Sequence, residues 1–459
     1  LPAPSFSVRV HQNAPMEFLY RACEVSRLGY GVPAFYNDEV IILALVSRGV
    51  ALKDARDYCI IGCVEPQAGH RTEGWHDAAF FNIAKVLEIT LNNGRCNGKQ
   101  LGPKTGELEE LDTMDKLLAA YQQQMEYFVR HLAKADNAVD YAHMERAPLP
   151  FMSAMVDDCI KRGKSCQEGG AIYNFTGPQA FGVADAGDSL YAIQKNIFED
   201  KRFTLAELRE ALEANFGYSD SAAPICTPSI PESTLDEAQI YEAVKKILSS
   251  TGSIDIATLE SHLKQGTGTG TSCGCKSQAD PSKYATIRNI LKNTDSFGND
   301  IEEVDQFAYR CGKIYCNEVD KYMNPRGGQF QAGIYPVSAN VLFGKDVAAL
   351  PDGRLATEPL ADGVSPRQGN DVNGPTAASN SVAKLDHAQA SNGTLYNQKF
   401  TPAAVGGEQG LKNFVSIIKS FFDKKGSHVQ FNVVDKQTLL DAQEHPEDNQ
   451  DLIVRVAGY

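Results

Sequence analysis

The segment that decides the fold reads Ile60-Ile61-Gly62-Cys63-Val64-Glu65-Pro66-Gln67. It places a cysteine between an apolar run and a proline, and the proline opposes immediate continuation into a helix. Glu65 follows Cys63 by two residues, so an extended backbone would put both side chains on one side. A tight loop would instead aim both into a cavity. Taken alone, the segment is more typical of a buried, inert cysteine.

The last six residues form a second informative segment, Val454-Arg455-Val456-Ala457-Gly458-Tyr459. Its apolar pattern predicts a strand that ends in a glycine turn, since glycine adopts a positive φ without steric cost. By itself this is an ordinary strand end. Together with Gly62-Cys63-Val64-Glu65, however, this segment indicates one particular family of proteins.

Together, the two segments resemble the glycyl radical enzyme family of the pyruvate formate-lyase-like superfamily. The similarity continues over most of the chain, in Gly169-Gly170-Ala171-Ile172-Tyr173-Asn174-Phe175-Thr176-Gly177-Pro178, Ala349-Leu350-Pro351-Asp352-Gly353-Arg354 and Pro359-Leu360-Ala361-Asp362-Gly363-Val364-Ser365-Pro366. The resemblance implies an α/β fold, the second half of a ten-stranded α/β barrel in which an inserted Cys63 loop meets the glycyl radical loop of Gly458. We therefore expect a C-terminal fragment that is inactive alone.

The resemblance also implies a radical reaction. A separate activating enzyme, which uses S-adenosylmethionine and an iron–sulfur cluster, would install a glycyl radical at Gly458. Gly458 would then oxidise Cys63 to a thiyl radical that abstracts hydrogen from the substrate. A glycyl radical is stabilised between an amide nitrogen and a carbonyl, and no Cβ prevents planarity. We expect no bound cofactor and no metal.

Two features of the Cys63 segment favour an eliminase over an acyl transferase. Val64 stands where pyruvate formate-lyases carry the second cysteine of an adjacent pair, and that second thiol holds the acyl group there. In the dehydratases that the chain resembles, the residue matching Glu65 deprotonates the hydroxyl on the carbon that lost hydrogen, which is general base catalysis.

The stretch Glu73-Gly74-Trp75-His76-Asp77 bears on the substrate. It resembles the segment of glycerol and propane-1,2-diol dehydratases whose aspartate hydrogen-bonds a substrate hydroxyl, and Asp77 matches that residue. A carboxylate that accepts from a hydroxyl suits a neutral polyol. The alternative is that Asp77 caps a helix that begins at Ala78, and His76 is expected to be structural.

Gln331 and Tyr335 belong to a second segment that resembles a strand lining the substrate pocket. Sulfonate-cleaving relatives carry arginine at the position of Gln331, to pair with an anion. Diol dehydratases carry a tyrosine at the position of Tyr335. The alternative for Tyr335 is simple core packing.

We interpret the chain as part of a coenzyme-B12-independent dehydratase that eliminates water from glycerol or propane-1,2-diol to give an aldehyde. Cys63 takes the hydrogen, Glu65 the proton, and Asp77, Tyr335 and Gln331 bind the substrate. Other glycyl radical eliminases remain alternatives: hydroxyproline dehydratase, an isethionate-type lyase or an arylacetate decarboxylase. An inactive truncated remnant is a further alternative.

Composition excludes several other classes of protein. The 459 residues include 44 Lys and Arg against 58 Asp and Glu, a net charge of −14, which disfavours a nucleic-acid partner. No apolar run approaches the ~18 residues of a membrane span. The first residues lack the features of a signal peptide. The 11 irregularly spaced cysteines predict reduced thiols and a cytoplasmic location.

The pattern along the chain predicts four regions. Residues 1–218 form a barrel half with the cysteine loop, 286–345 continue the barrel, and 346–459 form the glycyl radical domain. Between them, 219–285 forms an insertion with a Pro/Ser/Thr linker, an amphipathic helix at 235–250 and a Gly/Thr tether. Such a tethered helix resembles peptides that target enzymes to bacterial microcompartments, although packing on the barrel exterior is the alternative. A homodimer is expected.

Local patterns predict individual elements. Apolar residues at three- and four-residue spacing predict a helix over 113–135. Thr204 and Glu207 predict a capping box for a helix over 203–216 that ends at Gly217. The runs 6–10 and 429–434 predict strands, and Cys59 is expected in the core.

Overall fold

The computed structural model describes residues 6–218, 281–450, 452 and 454. The chain divides into two compact units, Leu1–Tyr218 with Pro281–Tyr459, and Ser219–Asp280, and every described residue belongs to the first. The predicted insertion helix at 235–250 therefore lies outside the described residues. The predicted end of the insertion at residue 285 falls within a helix that begins at Pro281.

The strands in the described residues are short. They are β1 (Ser7–Val10), β2 (Ala34–Asn37), β3 (Tyr58–Ile61), β4 (Glu65–Ala68), β5 (Thr72–Trp75), β6 (Phe80–Asn82), β7 (Arg95–Cys96), β8 (Lys99–Gln100), β9 (Tyr173–Thr176), β10 (Gln179–Phe181), β11 (Gly333–Ile334), β12 (Asn397–Phe400) and β13 (His428–Val433).

Helices make up most of the remainder. They are α1 (Met16–Ser26), α2 (Asp38–Ser47), α3 (Leu52–Arg56), α4 (Ile83–Leu91), α5 (Met114–Arg146), α6 (Pro150–Met155), α7 (Cys159–Arg162), α8 (Val183–Ile193), α9 (Leu205–Glu213), α10 (Pro281–Lys292), α11 (Glu302–Val319), α12 (Ala339–Gly344), α13 (Pro375–Ala383), α14 (Gly407–Asp423) and α15 (Lys436–Glu444). No helix among the described residues is both long and apolar enough to cross a membrane.

The strands form five sheets. The largest has the order β1-β2-β13-β12, and a three-stranded sheet has the order β11-β10-β6. Three pairs complete the set: parallel β5-β9 and the antiparallel hairpins β3-β4 and β7-β8. Single parallel bridges join Thr176, at the end of β9, to Phe330 and Ile334, at the end of β11, to Thr394. The α/β class is as predicted, but these sheets form no closed barrel in the described part of the chain, and the ten-stranded barrel is not confirmed.

Helices cover one face of the three-stranded sheet and bury the main apolar core. Helix α11 packs against both α8 and α5. The α8–α11 crossing is close, because a Cβ at Gly187 would lie 2.7 Å from backbone atoms of Ala308. The ring of Tyr315 on α11 stacks on Phe81 of β6, with centroids 5.2 Å apart, and its hydroxyl donates to the carbonyl of Pro178 at 3.0 Å. These contacts tie α11 to β6 and to the residue that precedes β10.

Local signals predicted helix starts better than helix ends. Thr113 caps α5 as expected, by accepting from the backbone N–H of Lys116 at 3.3 Å, but the helix continues to Arg146 instead of ending near residue 135. The Thr204–Glu207 capping box is confirmed. The helix that it opens ends at Glu213, before Gly217. The strands predicted over 6–10 and 429–434 appear as β1 and β13.

Candidate active site at the Cys63 turn

Cys63 lies at the tip of the β3–β4 hairpin. The strands pair antiparallel, with Ile61 opposite Glu65, so residues 62–64 form the turn between them. The turn requires glycine at its first position, since Gly62 has φ +58° and a Cβ there would come within 3.1 Å of the Glu65 carboxylate. Cys63 is 2% exposed. The turn therefore presents a thiol inside the protein.

The Glu65 carboxylate folds back beneath the same turn. Its Oε2 atom accepts from the backbone N–H groups of Cys63 at 2.7 Å and Val64 at 2.6 Å. The structure thus has the tight loop that the sequence allowed, and not an extended backbone with the Cys63 and Glu65 side chains on one side. Neither bond uses Oε1. That oxygen is the basic atom that Glu65 can offer to a substrate.

Two neighbouring elements hold the turn in place. The hydroxyl of Tyr36, on β2, donates to the carbonyl of Cys63 at 2.8 Å. From the other side, a Cβ at Gly393 would lie 2.5 Å from the carbonyl of Val64, so the backbone there approaches the turn closely. Gly393 has φ +109°, which a glycine adopts easily. The Cys63 carbonyl is thus held by the Tyr36 hydroxyl, and the Val64 backbone is held by close packing against Gly393.

Burial makes Glu65 an unusually weak acid. Desolvation raises the pKa of its carboxyl to about 7, against the opposing effect of the backbone N–H groups, and the Asp77 carboxylate adds to the rise. Asp77 itself is exposed, yet partial desolvation still raises the pKa of its carboxyl above the usual range. It does not cap a helix, because residues 78 and 79 lead into β6. A base with a pKa near neutrality is matched to proton transfer at physiological pH.

Tyr335 joins these groups from the segment that follows β11. It is fully buried, and burial together with the nearby Glu65, Asp77 and Cys63 raises the pKa of its phenol well above the usual value. Its hydroxyl donates to the carbonyl of His76 at 2.8 Å. The structure therefore brings together four of the predicted site residues: Cys63, Glu65, Asp77 and Tyr335.

Gln331 lies two residues before β11. Its backbone N–H donates to the carbonyl of Thr176 at 2.8 Å, while its side-chain amide is fully buried and has no hydrogen-bond partner in the described structure. Gln179, which faces Gly333 across the β10–β11 register, has the same unpartnered amide. Such amides are costly to bury unpaired, so both suit contact with a polar group.

Comparison with known proteins identifies the family. Residues 1–344 match the model described as pyruvate formate lyase-like, and residues 360–459 match the model described as glycine radical. The chain belongs to the glycyl radical enzymes. The sequence resemblance is thereby confirmed.

Several relatives of this glycyl radical enzyme are dehydratases. The chain is 35% identical to a (2S)-3-sulfopropanediol dehydratase of Klebsiella oxytoca, over 99% of the chain and 48% of the relative. It is also 35% identical to the trans-4-hydroxy-L-proline dehydratase of Clostridioides difficile, over 99% of the chain and 50% of the relative. The chain thus spans about half the length of the curated relatives that it matches.

Two solved structures of higher identity are concerned with glycerol and with 1,2-propanediol. The chain is similar to the glycerol-bound B12-independent glycerol dehydratase of Clostridium butyricum, with 51% identity and a TM-score of 0.85 over 100% of this chain and 50% of that one. It is similar to a structure described for 1,2-propanediol dehydration in Roseburia inulinivorans, with 48% identity and a TM-score of 0.84 over 100% and 51%.

The residue predicted to carry the radical in this glycyl radical enzyme, Gly458, lies outside the described residues. Its separation from Cys63 therefore stays a prediction. Sequence reasoning missed the buried partners of Tyr335, above all Asn392, which is 316 residues from His76 yet bonded to it. No local pattern marks such a residue, because its role depends on a contact made only in the folded protein.

Proposed function

We propose that this glycyl radical enzyme eliminates water from glycerol or propane-1,2-diol and yields an aldehyde. The observation that supports this best is the Cys63 turn, which places a buried thiol beside a carboxyl whose pKa is about 7. Two solved structures concerned with glycerol and 1,2-propanediol are 51% and 48% identical to the chain, against 35% for the sulfopropanediol and hydroxyproline dehydratases.

In the proposed reaction, Cys63 and Glu65 both act at C1 of the substrate: Cys63 takes a hydrogen atom and Glu65 takes a proton. The Cys63 thiyl forms its S–H bond as the C1–H bond of the substrate breaks. Glu65 Oε1 takes the proton of the C1 hydroxyl, and the ketyl radical then breaks the C2–O bond. The expelled hydroxide takes up a proton and leaves as water; overall this is the proton that Glu65 removed from the C1 hydroxyl, and giving it up restores the Glu65 carboxylate. The remaining carbon radical recovers hydrogen from the Cys63 thiol, which completes the aldehyde and restores the thiyl.

Substrate binding in this proposal depends on neutral and anionic groups. Asp77 accepts from a hydroxyl, Tyr335 packs beside the reacting carbon, and the Gln331 amide contacts the remainder of the molecule. Gln331 is neutral, whereas an arginine at this position would favour a sulfonate. A neutral diol or triol therefore suits this position better than a sulfonate, while hydroxyproline and an arylacetate remain the alternatives to be compared by direct assay.

The wider context of the enzyme is also part of the proposal. We assign radical installation at Gly458 to an S-adenosylmethionine-dependent activating enzyme, expect a homodimer, and assign the insertion at 219–285 a role in microcompartment targeting. The regions 1–218, 286–345 and 346–459 would form the second half of a ten-stranded barrel and its glycyl radical domain.

The test is anaerobic activation of the enzyme expressed from its complete gene. Wild type should show an organic radical signal by electron paramagnetic resonance and convert glycerol or propane-1,2-diol to an aldehyde. Gly458→Ala should abolish the signal. Cys63→Ser should keep the signal but lose turnover, because an O–H bond is too strong for a glycyl radical to break. Turnover by Cys63→Ser, or a preference for sulfonates or hydroxyproline over both diols, would overturn the proposal.

A further inference from the structure

Strand β10 lies between the two segments that carry Asp77 and Tyr335. It pairs parallel with β6 on one side and with β11 on the other. Strand β6 begins three residues after Asp77, and β11 ends immediately before Tyr335. Gln179, the first residue of β10, is opposite Phe80 of β6 and Gly333 of β11. Gln179 is therefore located between two segments that carry proposed substrate-binding residues.

The strand register places Gln179 and Gln331 on one face. Gln179 lies opposite Gly333, and the single bridge from the end of β9 to the segment before β11 keeps the same register. Gln331 therefore lies opposite Gly177. Residues that are opposite each other in a parallel pair, or two apart along one strand, direct their side chains to the same face. The two glutamines thus share a face and are diagonal neighbours, each opposite a glycine.

This shared face is the one on which Tyr335 and Asn392 lie. A Cβ at Gly333 would come within 2.4 Å of the Tyr335 ring and within 3.1 Å of the Asn392 amide nitrogen. A Cβ at Gly177 would come within 2.2 Å of the same nitrogen. Both glycines therefore face these two side chains. The two glutamines, on the same face as the glycines, extend to the side of the sheet that holds Tyr335.

The amides of Gln179 and Gln331 are unpaired in the described part of the chain. Both side chains are fully buried, and neither the nitrogen nor the oxygen of either amide has a hydrogen-bond partner there. The neighbouring Asn392 cannot supply a donor. Its Nδ2 donates to the Tyr335 hydroxyl at 2.7 Å and to the His76 carbonyl at 2.9 Å, which uses both hydrogens. Two buried amides with unused donors and acceptors are costly unless a polar group joins them.

We propose that Gln179 is a substrate-binding residue and that it forms, with Gln331, a subsite for the C3 hydroxyl of glycerol. The inference rests on the proposed dehydratase function and adds a residue to its substrate contacts. A hydroxyl both donates and accepts, and the two amides offer N–H groups and oxygens together. The methyl group of propane-1,2-diol can use neither. A subsite of buried amides disfavours an analogue that lacks the hydroxyl, because the amides then stay unpaired.

The test is the ratio of kcat/KM for glycerol to kcat/KM for propane-1,2-diol, measured in the anaerobically activated enzyme expressed from its complete gene. Gln179→Leu should lower this ratio about fivefold, because the C3 hydroxyl loses a hydrogen bond that a methyl group does not make. Gln179→Met, which keeps the length of the side chain, should lower it similarly. Adding Gln331→Leu to either should lower it further. Neither single variant should lower the melting temperature, since the amide removed is unpaired.

Gln124→Leu is the matched control. Gln124, on α5, is also fully buried, but its Nε2 donates to the Pro103 carbonyl at 2.7 Å and to the Thr105 hydroxyl at 3.1 Å. Its replacement should lower the melting temperature and leave the substrate ratio unchanged. An unchanged ratio in folded, radical-bearing Gln179→Leu and Gln179→Met, or an equal fall in Gln124→Leu, overturns the inference alone. A wild type that dehydrates neither substrate overturns the proposed function, and the inference with it.

Discussion

Glu65 and Asp140 are both buried carboxylates, but their surroundings differ in one respect. Both carboxylate oxygens of Asp140, on α5, accept from Nε of Arg326, Oδ1 at 3.0 Å and Oδ2 at 2.9 Å. The Arg326 side chain is itself buried. Glu65 accepts from backbone N–H groups, those of Cys63 and Val64 among them, and forms no ion pair with a described residue. Asp140 therefore has a cation beside it, whereas Glu65 is buried without one among the described residues, and desolvation raises the pKa of its carboxyl to about 7. The comparison separates a charge that supports the scaffold from one that is available for proton transfer.

Arg326 also joins several elements around the site. Beyond Asp140, it donates to the carbonyl of Glu73 at 3.0 Å on β5, and to the carbonyl of Phe175 at 2.7 Å and the hydroxyl of Thr176 at 3.0 Å on β9. One side chain therefore joins α5 to the strand pair that leads into Asp77. The position of Asp77 therefore depends on this strand pair.

The largest effect is expected where the base itself is replaced. Glu65→Gln keeps the shape and the amide oxygen that accepts from the turn, but it cannot take a proton. We expect kcat to fall by about 10²–10⁴-fold while the radical signal persists. Steady-state kinetics on propane-1,2-diol measure this. A loss below threefold would mean that another group is the base.

The same substitution should stabilise the fold at high pH. A carboxyl whose pKa is raised on folding contributes stability below its unfolded pKa of about 4.3, and this is lost as pH rises through about 7. Glu65→Gln should therefore increase the unfolding free energy at pH 8 by at most about 4 kcal/mol, and by much less at pH 4.5. Melting curves at the two pH values measure the difference. Equal changes at both would contradict the burial argument.

Asp140, which is paired with a cation, should instead lower the stability of the fold when its partner is removed. Arg326→Met leaves Asp140 buried without its cation, which typically costs about 3–5 kcal/mol. Urea denaturation should show this loss. Because the cost comes from the remaining charge, adding Asp140→Leu should recover much of it. If the double variant is as unstable as the single one, the contacts of Arg326 with Glu73 and Phe175 matter more than the ion pair.

A smaller effect is expected at the exposed edge of the site. Asp77→Asn keeps the shape but weakens the acceptor for a substrate hydroxyl, a difference of about 1.5–3 kcal/mol for a charged partner. We expect roughly a tenfold or larger fall in kcat/KM for diols, and unchanged stability because Asp77 is exposed. A fall confined to stability would place Asp77 outside substrate binding.

The smallest effect concerns an exposed carboxylate far from the site. Glu207 also accepts a backbone N–H, that of Thr204, but without burial this bond lowers the pKa of its carboxyl. Thr204→Ala should cost about 1 kcal/mol of stability and leave kcat unchanged. Thermal unfolding and kinetics check this. Glu207 differs from Glu65 both in being exposed and in pairing with Lys283 at 3.2 Å, and both differences lower the pKa of its carboxyl relative to that of Glu65.

Sequence reasoning succeeded where chemistry is local. The Thr204 cap and the pairing of Cys63 with Glu65 are short-range features, and both are present. It failed where tertiary contacts decide. Cys59, expected in the core, is exposed, because alternation along β3 points it away from the apolar cluster that contains Cys63. The Asn392 contact with Tyr335 spans 57 residues and leaves no periodic pattern.

The β3–β4 hairpin carries two thiols of opposite accessibility. Cys59 is the exposed cysteine among those described, and Cys63, four residues on, is buried. A thiol reagent should therefore modify Cys59 at once, whereas reaction at Cys63 has to await a local opening of the turn. In a Cys59→Ser background, the labelling rate at Cys63 reports the opening equilibrium of the turn in the folded protein. The buried thiol thus serves as a built-in probe of how often the site is open to solvent.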